Sequence, residues 1–492
     1  MKMRFKAPIL IALTVLSVAL ASVPHAVGTL YVDWSLNTTE AGEFITAFAH
    51  LYGVPRVEQA YDLYFCVVTL DATKANVPLS GIIEVSVGNY AQPARQLYEI
   101  SKKDVYKYGL NPTFNDKVAA ITTATPVTVD FKITDKSGSQ LYADSKTIEM
   151  LPVDYYAWVI QKNDQQKYSV VLATPHADPV QKVISTAARA TPWNAIVGYQ
   201  EVGNYSHHEI VSAQMRAVYN VLQNLGITYV STPTTFTSTQ TQRVKLPVET
   251  LSDNAGNCIE TALLFDSIFE AIGFDTYLIY TATHAFIGVG EWPDSDSFLP
   301  LETTNLGAGT YDQARDLGHD QFAKAKEDPS YYWLDVRKVR ETGIAPTPYM
   351  DKMSGGEKFY QKIDEISGEI TSARNTIEKV RDAERGMQSI PPTAEDLYRK
   401  AQSLFWDGKY RDAESSATQA MQMLASAVST QTVLASTVST QTAQGLLPTG
   451  LLPSGLLPGG GLQMNQQSIL MVGVLVVIII VFAIGIASRR RR

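Results

Sequence analysis

Cysteine and histidine are scarce in this chain of 492 residues, which contains two cysteines and seven histidines. So few thiols exclude a small scaffold held together by disulfides, the usual role of cysteine in compact secreted domains. An excess of basic residues is also missing, since the net charge is −8. This excludes nucleic acid as the main partner, because phosphate binding requires a basic surface.

Patterns that bind metals or phosphates are missing as well. His207 and His208 are adjacent, so their side chains would diverge on a helix and cannot easily share a metal ion. The chain has no glycine-rich phosphate-binding loop. We therefore expect neither a cofactor nor a metal site.

Two long apolar runs without charge lie near the ends of the chain. At the beginning, Lys2, Arg4 and Lys6 precede an apolar run over residues 7–21, and small residues follow it. This layout predicts a secretory signal peptide at residues 1–26. An uncleaved N-terminal anchor is the alternative, although the run is short for a membrane span.

The second apolar run lies near the other end and is followed by four arginines. A helix over residues 469–487 is about 28 Å long at about 1.5 Å per residue, which is enough to cross a bilayer core. Arginines beside a span remain in the cytoplasm. The sequence therefore predicts a transmembrane helix at 468–488, a cytoplasmic tail at 489–492 and a type I, single-pass protein of the cell membrane whose bulk is extracellular.

The segment 27–155 has the pattern of antiparallel strands. Apolar and polar residues alternate over 127–134, and turn-forming residues follow at 135–139. This spacing predicts an antiparallel β-sandwich, loosely similar to an immunoglobulin domain. Cys66 lies in another strand-like run, where a buried thiol is the ordinary expectation, so we disfavour a disulfide with Cys258.

The segment 156–350 mixes helical and strand patterns and predicts an α+β core. A helix is predicted over 209–225 with Gly226 ending it, and another over 259–272 with Gly273 ending it. Three strands are predicted after the second helix, at 277–280, 284–289 and 298–302.

The segment 351–425 is predicted to be helical. Residues 394–424 resemble a single tetratricopeptide unit, two antiparallel helices joined at Gly408. One such unit cannot bury its own apolar faces, so it either packs on a neighbour or forms a stalk. We predict a helical stalk, because a binding surface needs several stacked repeats.

The segment 426–467 is of low complexity. Val-Ser-Thr-Gln-Thr occurs twice in it, and Gly-Leu-Leu-Pro occurs three times. Proline and glycine resist regular structure, so we predict a flexible linker between the folded part and the membrane.

Cys258, His284 and Glu302 provide a thiol, an imidazole and a carboxylate in the central segment. Asn257 is predicted to cap a helix together with Glu260, which places Cys258 in the first turn. Free N–H groups and the helix dipole there stabilise a thiolate and can hold an oxyanion. If the polar residues between the last two strands form a hairpin, Glu302 reaches His284 and orients its ring.

Other residues near this trio have alternative interpretations. The strand that begins at His284 carries Gly288 and Gly290 on the same face, and these small residues are expected to leave room for an extended chain or a side chain to approach. Asp335, at the end of the run 331–335, is the alternative third member of the trio. Asp294 and Asp296 are interpreted as solvated loop residues or as residues with an incidental cation contact.

The arrangement of these motifs resembles the transglutaminase-like superfamily. The resemblance consists of Gly256-Asn257-Cys258 at a helix start, His284-Ala285-Phe286 on a strand, and a carboxylate followed by threonine on the next strand. Residues 246–251 and 272–275 are also similar to those of the microbial members. The resemblance covers residues 209–304.

The resemblance implies a papain-like core with Cys258 as the nucleophile, His284 as general base and acid, and Glu302 as the orienting carboxylate. Two positions depart from the family pattern. Glu302 stands where aspartate is usual, and Asn257 stands where aspartate is frequent.

These observations predict a membrane-anchored, extracytoplasmic acyl-transfer enzyme with a cysteine nucleophile, most simply a peptidase or amidase acting on protein or peptide amides. Water as the acceptor gives hydrolysis and a lysine amine gives cross-linking, and we predict hydrolysis. The alternative is a catalytically inactive surface protein with a role in adhesion or envelope structure.

Overall fold

The computed structural model describes residues 25–27, 30–232, 235–349, 356–387 and 389–444, with side chains described between residues 30 and 430. The predicted signal peptide up to residue 24, the linker from residue 445, the membrane span and the cytoplasmic tail lie outside the described residues. None of the helices in the described ranges combines the length and the apolar character that crossing a membrane requires.

The strands are short in most places, and three of the sheets have more than two strands. The strands of the described residues are, in chain order, β1 (His25–Val27), β2 (Leu30–Leu36), β3 (Glu43–Phe44), β4 (Cys66–Asp71), β5 (Leu79–Val87), β6 (Ala91–Gln92), β7 (Ala94–Ile100), β8 (Val105–Leu110), β9 (Thr113–Phe114), β10 (Thr125–Asp135), β11 (Gln140–Met150), β12 (Tyr155–Ala157), β13 (Val159–Ile160), β14 (Asn163–Asp164), β15 (Thr228–Tyr229), β16 (Thr241–Arg243), β17 (Ala255–Gly256), β18 (Thr276–Tyr280), β19 (Ala285–Gly290), β20 (Phe298–Leu301) and β21 (Tyr332–Asp335).

The helices follow the strand-rich part of the chain, and most of them lie beyond residue 177. The α-helices are α1 (Pro55–Tyr61), α2 (Asp178–Ala188), α3 (His207–Asn224), α4 (Pro247–Asp253), α5 (Cys258–Ile272), α6 (Tyr311–Ala325), α7 (Val336–Glu341), α8 (Gly356–Arg385), α9 (Pro392–Trp406) and α10 (Tyr410–Gln444). Short 3₁₀ helices occur at Thr46–Leu51, Asp116–Ala120, Gln166–Leu172 and Thr303–Asn305.

Two sheets form the first part of the molecule, with strand orders β1-β2-β4-β8 and β3-β11-β10-β5-β7. All neighbours are antiparallel except β3 and β11. Burial alternates along β10, with its apolar side chains inside, as the alternation over 127–134 predicts. Trp34 of β2 stacks on Phe131 of β10 with ring centroids 4.9 Å apart, so side chains from the two sheets meet in a shared core.

The third large sheet is antiparallel, with the order β20-β19-β18-β21, and α5 packs against β18 and β19. Every residue of β18 and β19 is buried, and α5 is buried on nearly all sides from Cys258 to Phe269. Gly273 ends α5 with a left-handed φ of 92°, as predicted. The mixed α+β character predicted for the chain is confirmed.

The predicted boundary between residues 155 and 156 does not separate two hydrophobic cores. One cluster of buried residues extends from Leu30 in β2 to Ile344, after α7. Tyr156 packs edge-on against Phe48 with ring centroids 5.3 Å apart, which joins the two sides of the boundary. The described residues as far as Ala427 belong to a single compact unit.

The helices predicted as a stalk pack on this unit instead. Ile363, Ile366 and Ile370 of α8 are almost completely buried in a cluster that also contains residues of α2, α3 and α5. Gly408 joins α9 and α10 as predicted, and a side chain there would meet Asn220 of α3 at 2.8 Å. Packing on a neighbour, the alternative that the sequence left open, is therefore what the structure shows.

Helix α10 extends to Gln444, into the segment predicted as a linker. Residues 426–444 contain neither proline nor glycine, which both occur from residue 445 onward. The flexible linker therefore cannot begin at residue 426. Repetition of Val-Ser-Thr-Gln-Thr was a poor indicator of irregular structure, because each of its residues is compatible with a helix.

Candidate active site

Cys258 is the first residue of α5, and the helix start has the predicted capping arrangement. The side-chain oxygen of Asn257 accepts from the backbone N–H of Glu260 at 3.0 Å. In return, Glu260 accepts from the backbone N–H of Asn257 at 2.9 Å. Cys258 is only 3% exposed, so its sulfur lies inside the protein at the positive end of the helix.

His284 directly precedes β19, which begins at Ala285, one residue later than the strand predicted at 284–289. Its ring nitrogen Nε2 lies 2.7 Å from Oε2 of Glu302. The His284 side chain is 25% exposed, which makes it the part of the site that is open to solvent. Cys258 lies close enough to His284 to contribute to the raised pKa of its ring.

Glu302 directly follows β20 and is 4% exposed. Its Oε1 accepts from the backbone N–H and the hydroxyl of Thr304, at 3.0 and 2.6 Å. This arrangement leaves Oε2 directed at the imidazole. The residues between β19 and β20 form the predicted hairpin, with Ile287 opposite Leu301, and this brings the end of β20 to His284.

The electrostatics of the site favour a protonated imidazole. Burial lowers the pKa of His284, but hydrogen bonds and negative charge from Cys258 and Glu302 outweigh it and raise the pKa to about 10. The ring is therefore an imidazolium at neutral pH, held between the carboxylate and the sulfur. A thiolate next to an imidazolium is the reactive form of a cysteine nucleophile.

A pair of buried hydroxyls connects the nucleophile to the carboxylate, and sequence reasoning missed it. The hydroxyl of Thr261 bonds to the carbonyls of Asn257 at 2.9 Å and Cys258 at 3.2 Å. It also lies 2.9 Å from the hydroxyl of Thr303, and both side chains are fully buried. Because Thr261 has a single hydrogen, which its own helix uses, Thr303 is the donor. The feature of the sequence that could have indicated this pair is the position of Thr261, three residues after the cysteine.

Asp335, the alternative third member, does not join the site. It caps α7 by accepting from the backbone N–H of Lys338 at 3.0 Å and forms an ion pair with the same lysine at 3.0 Å. Asp294 and Asp296 are both exposed, as expected for solvated loop residues. Asp294 also forms an ion pair with Arg337, the cation contact that the sequence left open.

The space expected beside His284 is filled by the protein itself. A side chain at Gly288 would lie 2.4 Å from the ring of Phe298, so that ring already covers the glycine. Gly290 lies under Tyr199, whose hydroxyl donates to its carbonyl at 3.0 Å. The small residues of β19 therefore do leave room for side chains to approach, and those side chains are the protein's own. Phe298 comes from the next strand, so the pattern of one strand could not reveal which side chain fills the space.

Two stretches on either side of residues 233–234 bond to chain next to the site. Strand β15 pairs in parallel with β17, just before the nucleophile, and the amide of Asn257 donates to the hydroxyl of Thr232 at 2.9 Å. The N–H of Phe236 donates to the carbonyl of Ala282 at 2.9 Å, close in sequence to the histidine.

Both cysteines are free, so the disfavoured disulfide is indeed not formed. Cys66 lies inside β4, and burial raises the pKa of its thiol to about 12, which makes it unreactive at neutral pH. In the described part of the chain, no group of three or more histidine, cysteine, aspartate or glutamate side chains is arranged to hold a metal ion.

Comparison of the chain with protein-family models, with curated protein sequences and with solved structures gives no match in any of the three. The site is therefore interpreted from its own geometry. That geometry unites Cys258, His284 and Glu302, the three residues that the sequence singled out.

Proposed function

We propose that this protein is an acyl-transfer enzyme with a cysteine nucleophile, acting as a hydrolase on protein or peptide amides. The observation that carries the proposal is the convergence of Glu302, His284 and Cys258, with 2.7 Å between the carboxylate and the ring and with Cys258 close enough to raise the pKa of that ring. A buried carboxylate, an imidazolium and a thiol at a helix N-terminus together have the parts that such catalysis needs.

In the proposed reaction, the Cys258 thiolate attacks the amide carbonyl carbon. The N–H groups at the start of α5 stabilise the oxyanion that forms. His284 then gives its proton to the leaving amine, which leaves a thioester on the sulfur. Finally, His284 takes a proton from a water molecule that attacks the thioester, and Glu302 holds the ring in place through both steps.

More narrowly, we propose a transglutaminase-like protein with a papain-like core that follows an antiparallel β-sandwich. The support is architectural, since a helix that begins with the cysteine packs on an antiparallel sheet. That sheet presents the histidine and the carboxylate from neighbouring strands. Glutamate in place of aspartate is accommodated, because Glu302 reaches the ring at hydrogen-bonding distance.

The location and the partners belong to the same proposal. The signal-like and span-like runs of the sequence support a single-pass protein of the cell membrane with the enzyme outside the cell. The substrates are then extracytoplasmic proteins or peptides, and the membrane is contacted by the C-terminal apolar run. The burial of Cys258 favours one competing function, an inactive surface protein, because a nucleophile must meet its substrate.

Thiol reactivity separates the two functions. We expect iodoacetamide to alkylate Cys258 in the full chain at about pH 6.5, where an ordinary thiol is almost entirely protonated. Mass spectrometry of the digested protein identifies the modified residue. Cys66 is the internal control and should remain unmodified in the folded protein, and Cys258→Ala should remove the fast reaction.

The proposal fails if Cys258 reacts only near the pH at which a free thiol ionises, about 8.5. It also fails if His284→Ala leaves the rate at about pH 6.5 unchanged, because the imidazolium is then not the partner of the sulfur. Either result favours the inactive surface protein.

A further inference from the structure

A second cleft, separate from the candidate active site, lies beside the first part of the molecule. Its volume is about 350 Å³, and it lies between the end of β2, the end of α1 and the β13–β14 hairpin. We call it the tyrosine cleft and define it by Tyr61, Tyr64, Tyr168, Lys167 and Gln161, which line it. This volume is in the range of sites that hold small molecules.

Lys167 gives the tyrosine cleft a cation without a counter-ion. Its ammonium nitrogen lies 4.9 Å from the ring centroid of Tyr61 and 5.2 Å from that of Tyr168. No carboxylate of the described residues lies within ion-pair distance of it. Burial lowers the pKa of Lys167, while the charge of Asp164 partly opposes that effect. The Lys167 ammonium, which lies against two aromatic rings, can pair with the carboxylate of a ligand.

The aromatic walls of the cleft are fixed in place. Tyr64 lies flat against β8, where a side chain at Gly109 would come within 2.1 Å of its ring. Tyr61 and Tyr168 pack edge-on with ring centroids 5.7 Å apart. Rings that are held in this way provide a rigid surface on which a planar or cyclic ligand can stack.

The hairpin at the cleft edge is held in an unfavourable backbone conformation. Gln161 and Lys162 form its two-residue loop, with φ values of 49° and 67°, a left-handed region that glycine or asparagine normally occupies. The amide of Gln161 donates to the carbonyl of Leu36 at 2.7 Å, which ties the hairpin to β2. Strained loops that their surroundings hold in place are frequent at ligand sites.

We propose that the tyrosine cleft binds an acidic sugar, a uronic acid residue of a polysaccharide or glycan. The carboxylate of the sugar pairs with Lys167, its ring stacks on the tyrosines, and its hydroxyls bond to the amide and phenol groups of the lining. Asp62, which also lines the cleft, accepts from a sugar hydroxyl. Side chains that both donate and accept suit a ligand with many hydroxyls, whereas a simple anion would use the lysine alone.

The test uses D-glucuronate and D-glucose, which differ only in the carboxylate at carbon 6. Binding to the full chain is measured by saturation-transfer NMR and by calorimetry up to millimolar concentrations. We expect saturable binding of glucuronate and weaker binding of glucose. Lys167→Met should weaken glucuronate binding about tenfold or more, because a charge-assisted hydrogen bond is lost, and should leave glucose binding unchanged.

Two further variants keep the test decisive. Lys132→Met removes an exposed lysine on β10, away from the cleft, and should bind glucuronate as the unmodified protein does. Tyr64→Leu should weaken both sugars alike, since stacking does not depend on the carboxylate. Thermal unfolding of each variant establishes that it is folded.

Three outcomes overturn the proposal. The first is that the unmodified chain binds no glucuronate, and the second is that Lys167→Met binds it equally well. The third is that acetate, or a short peptide with a free C-terminal carboxylate, binds as tightly as glucuronate. That result would make the cleft a carboxylate site without selectivity for sugars.

Discussion

At the scale of single residues, the candidate site depends on the two oxygens of Glu302 having different partners. One oxygen is held by Thr304, and the other faces His284. This division fixes the orientation of the carboxylate beside the imidazolium. It also explains how a glutamate, with one more methylene than aspartate, can still be placed accurately.

Glu302→Gln is the first prediction at this scale. The amide nitrogen would donate to His284 where the carboxylate accepts, which favours the wrong tautomer of the ring and removes the charge that keeps it protonated. We expect alkylation of Cys258 at about pH 6.5 to slow about tenfold or more and its pH profile to move upward. Glu302→Asp is the matched control, and its alkylation rate should fall less because aspartate keeps the negative charge. If the pH profile of alkylation is unchanged in Glu302→Gln, another group orients His284 and keeps it protonated.

Thr303→Val is the second prediction, and it concerns positioning. The valine cannot donate to Thr261, so the link between the carboxylate turn and the nucleophile helix is lost while the volume is kept. We expect the alkylation rate of Cys258 to fall about tenfold, with a cost in stability of about 1 kcal/mol. Thr303→Ser keeps the hydroxyl and should restore the rate. A Ser variant as slow as the Val variant would show that packing, not the hydrogen bond, matters.

At the scale of elements, α5 begins with the candidate nucleophile Cys258 and carries a buried aspartate, Asp266, in its middle. Asp266 is fully buried, and its Oδ1 accepts from the hydroxyl of Thr276 at 2.6 Å. Within the part of the chain that the structure describes, its Oδ2 has no hydrogen-bond partner. Burial, assisted by the charge of Glu270, raises the pKa of Asp266 to about 7. The helix that carries the nucleophile is therefore sensitive to pH at its centre.

Asp266→Asn gives the third prediction, on stability against pH. The pKa of Asp266 is raised on folding from 3.8, so the folded state holds its proton more tightly. Stability from this group is fully present below about pH 4 and is lost as the pH rises to about 7, by up to roughly 4 kcal/mol. Asparagine cannot ionise, so the free energy of unfolding of Asp266→Asn should not show this decrease with rising pH. Urea unfolding at several pH values measures the free energy of unfolding.

The matched control for that experiment is Asp296→Asn, a change at an exposed loop residue. It should follow the pH dependence of the unmodified protein. If Asp266→Asn follows it as well, the carboxyl of Asp266 is not protonated in the folded state.

At the scale of the whole molecule, α8 and the helices after it complete the core that holds the site. Ile366 is 1% exposed and lies in the same cluster as Phe265 of α5. A free-standing stalk would unfold independently of the enzyme part, whereas helices that share its core unfold with it. The two arrangements therefore differ in cooperativity.

Ile366→Ala is the prediction at this scale. Loss of the buried side chain should cost about 2–5 kcal/mol and lower the melting temperature of the single transition that includes the Cys258 helix. Calorimetry, with tryptophan fluorescence as a second probe, measures it. Met423→Ala changes a side chain on α10 that is 40% exposed and should have little effect. Two separate unfolding transitions, only one of them shifted by Ile366→Ala, would contradict this prediction and would support an independently folded stalk.

The sequence by itself determined the features that depend on neighbouring residues. The cap formed by Asn257 and Glu260 needs residues three apart, and the hairpin before Glu302 needs one polar loop between two short strands. Because these local features place the cysteine, the histidine and the carboxylate, the trio could be predicted without coordinates. The alternation along β10 predicted its buried face for the same reason.

Only the tertiary structure decided the features that join distant parts of the chain. Phe298 covers Gly288, Thr303 bonds to Thr261, and α8 shares a hydrophobic cluster with the helix that carries Cys258. Each contact joins side chains from different elements, and a periodic pattern shows which face is buried but not what buries it. The tyrosine cleft has the same origin, because its lining comes from a strand, a helix end and a hairpin that meet only when the chain is folded.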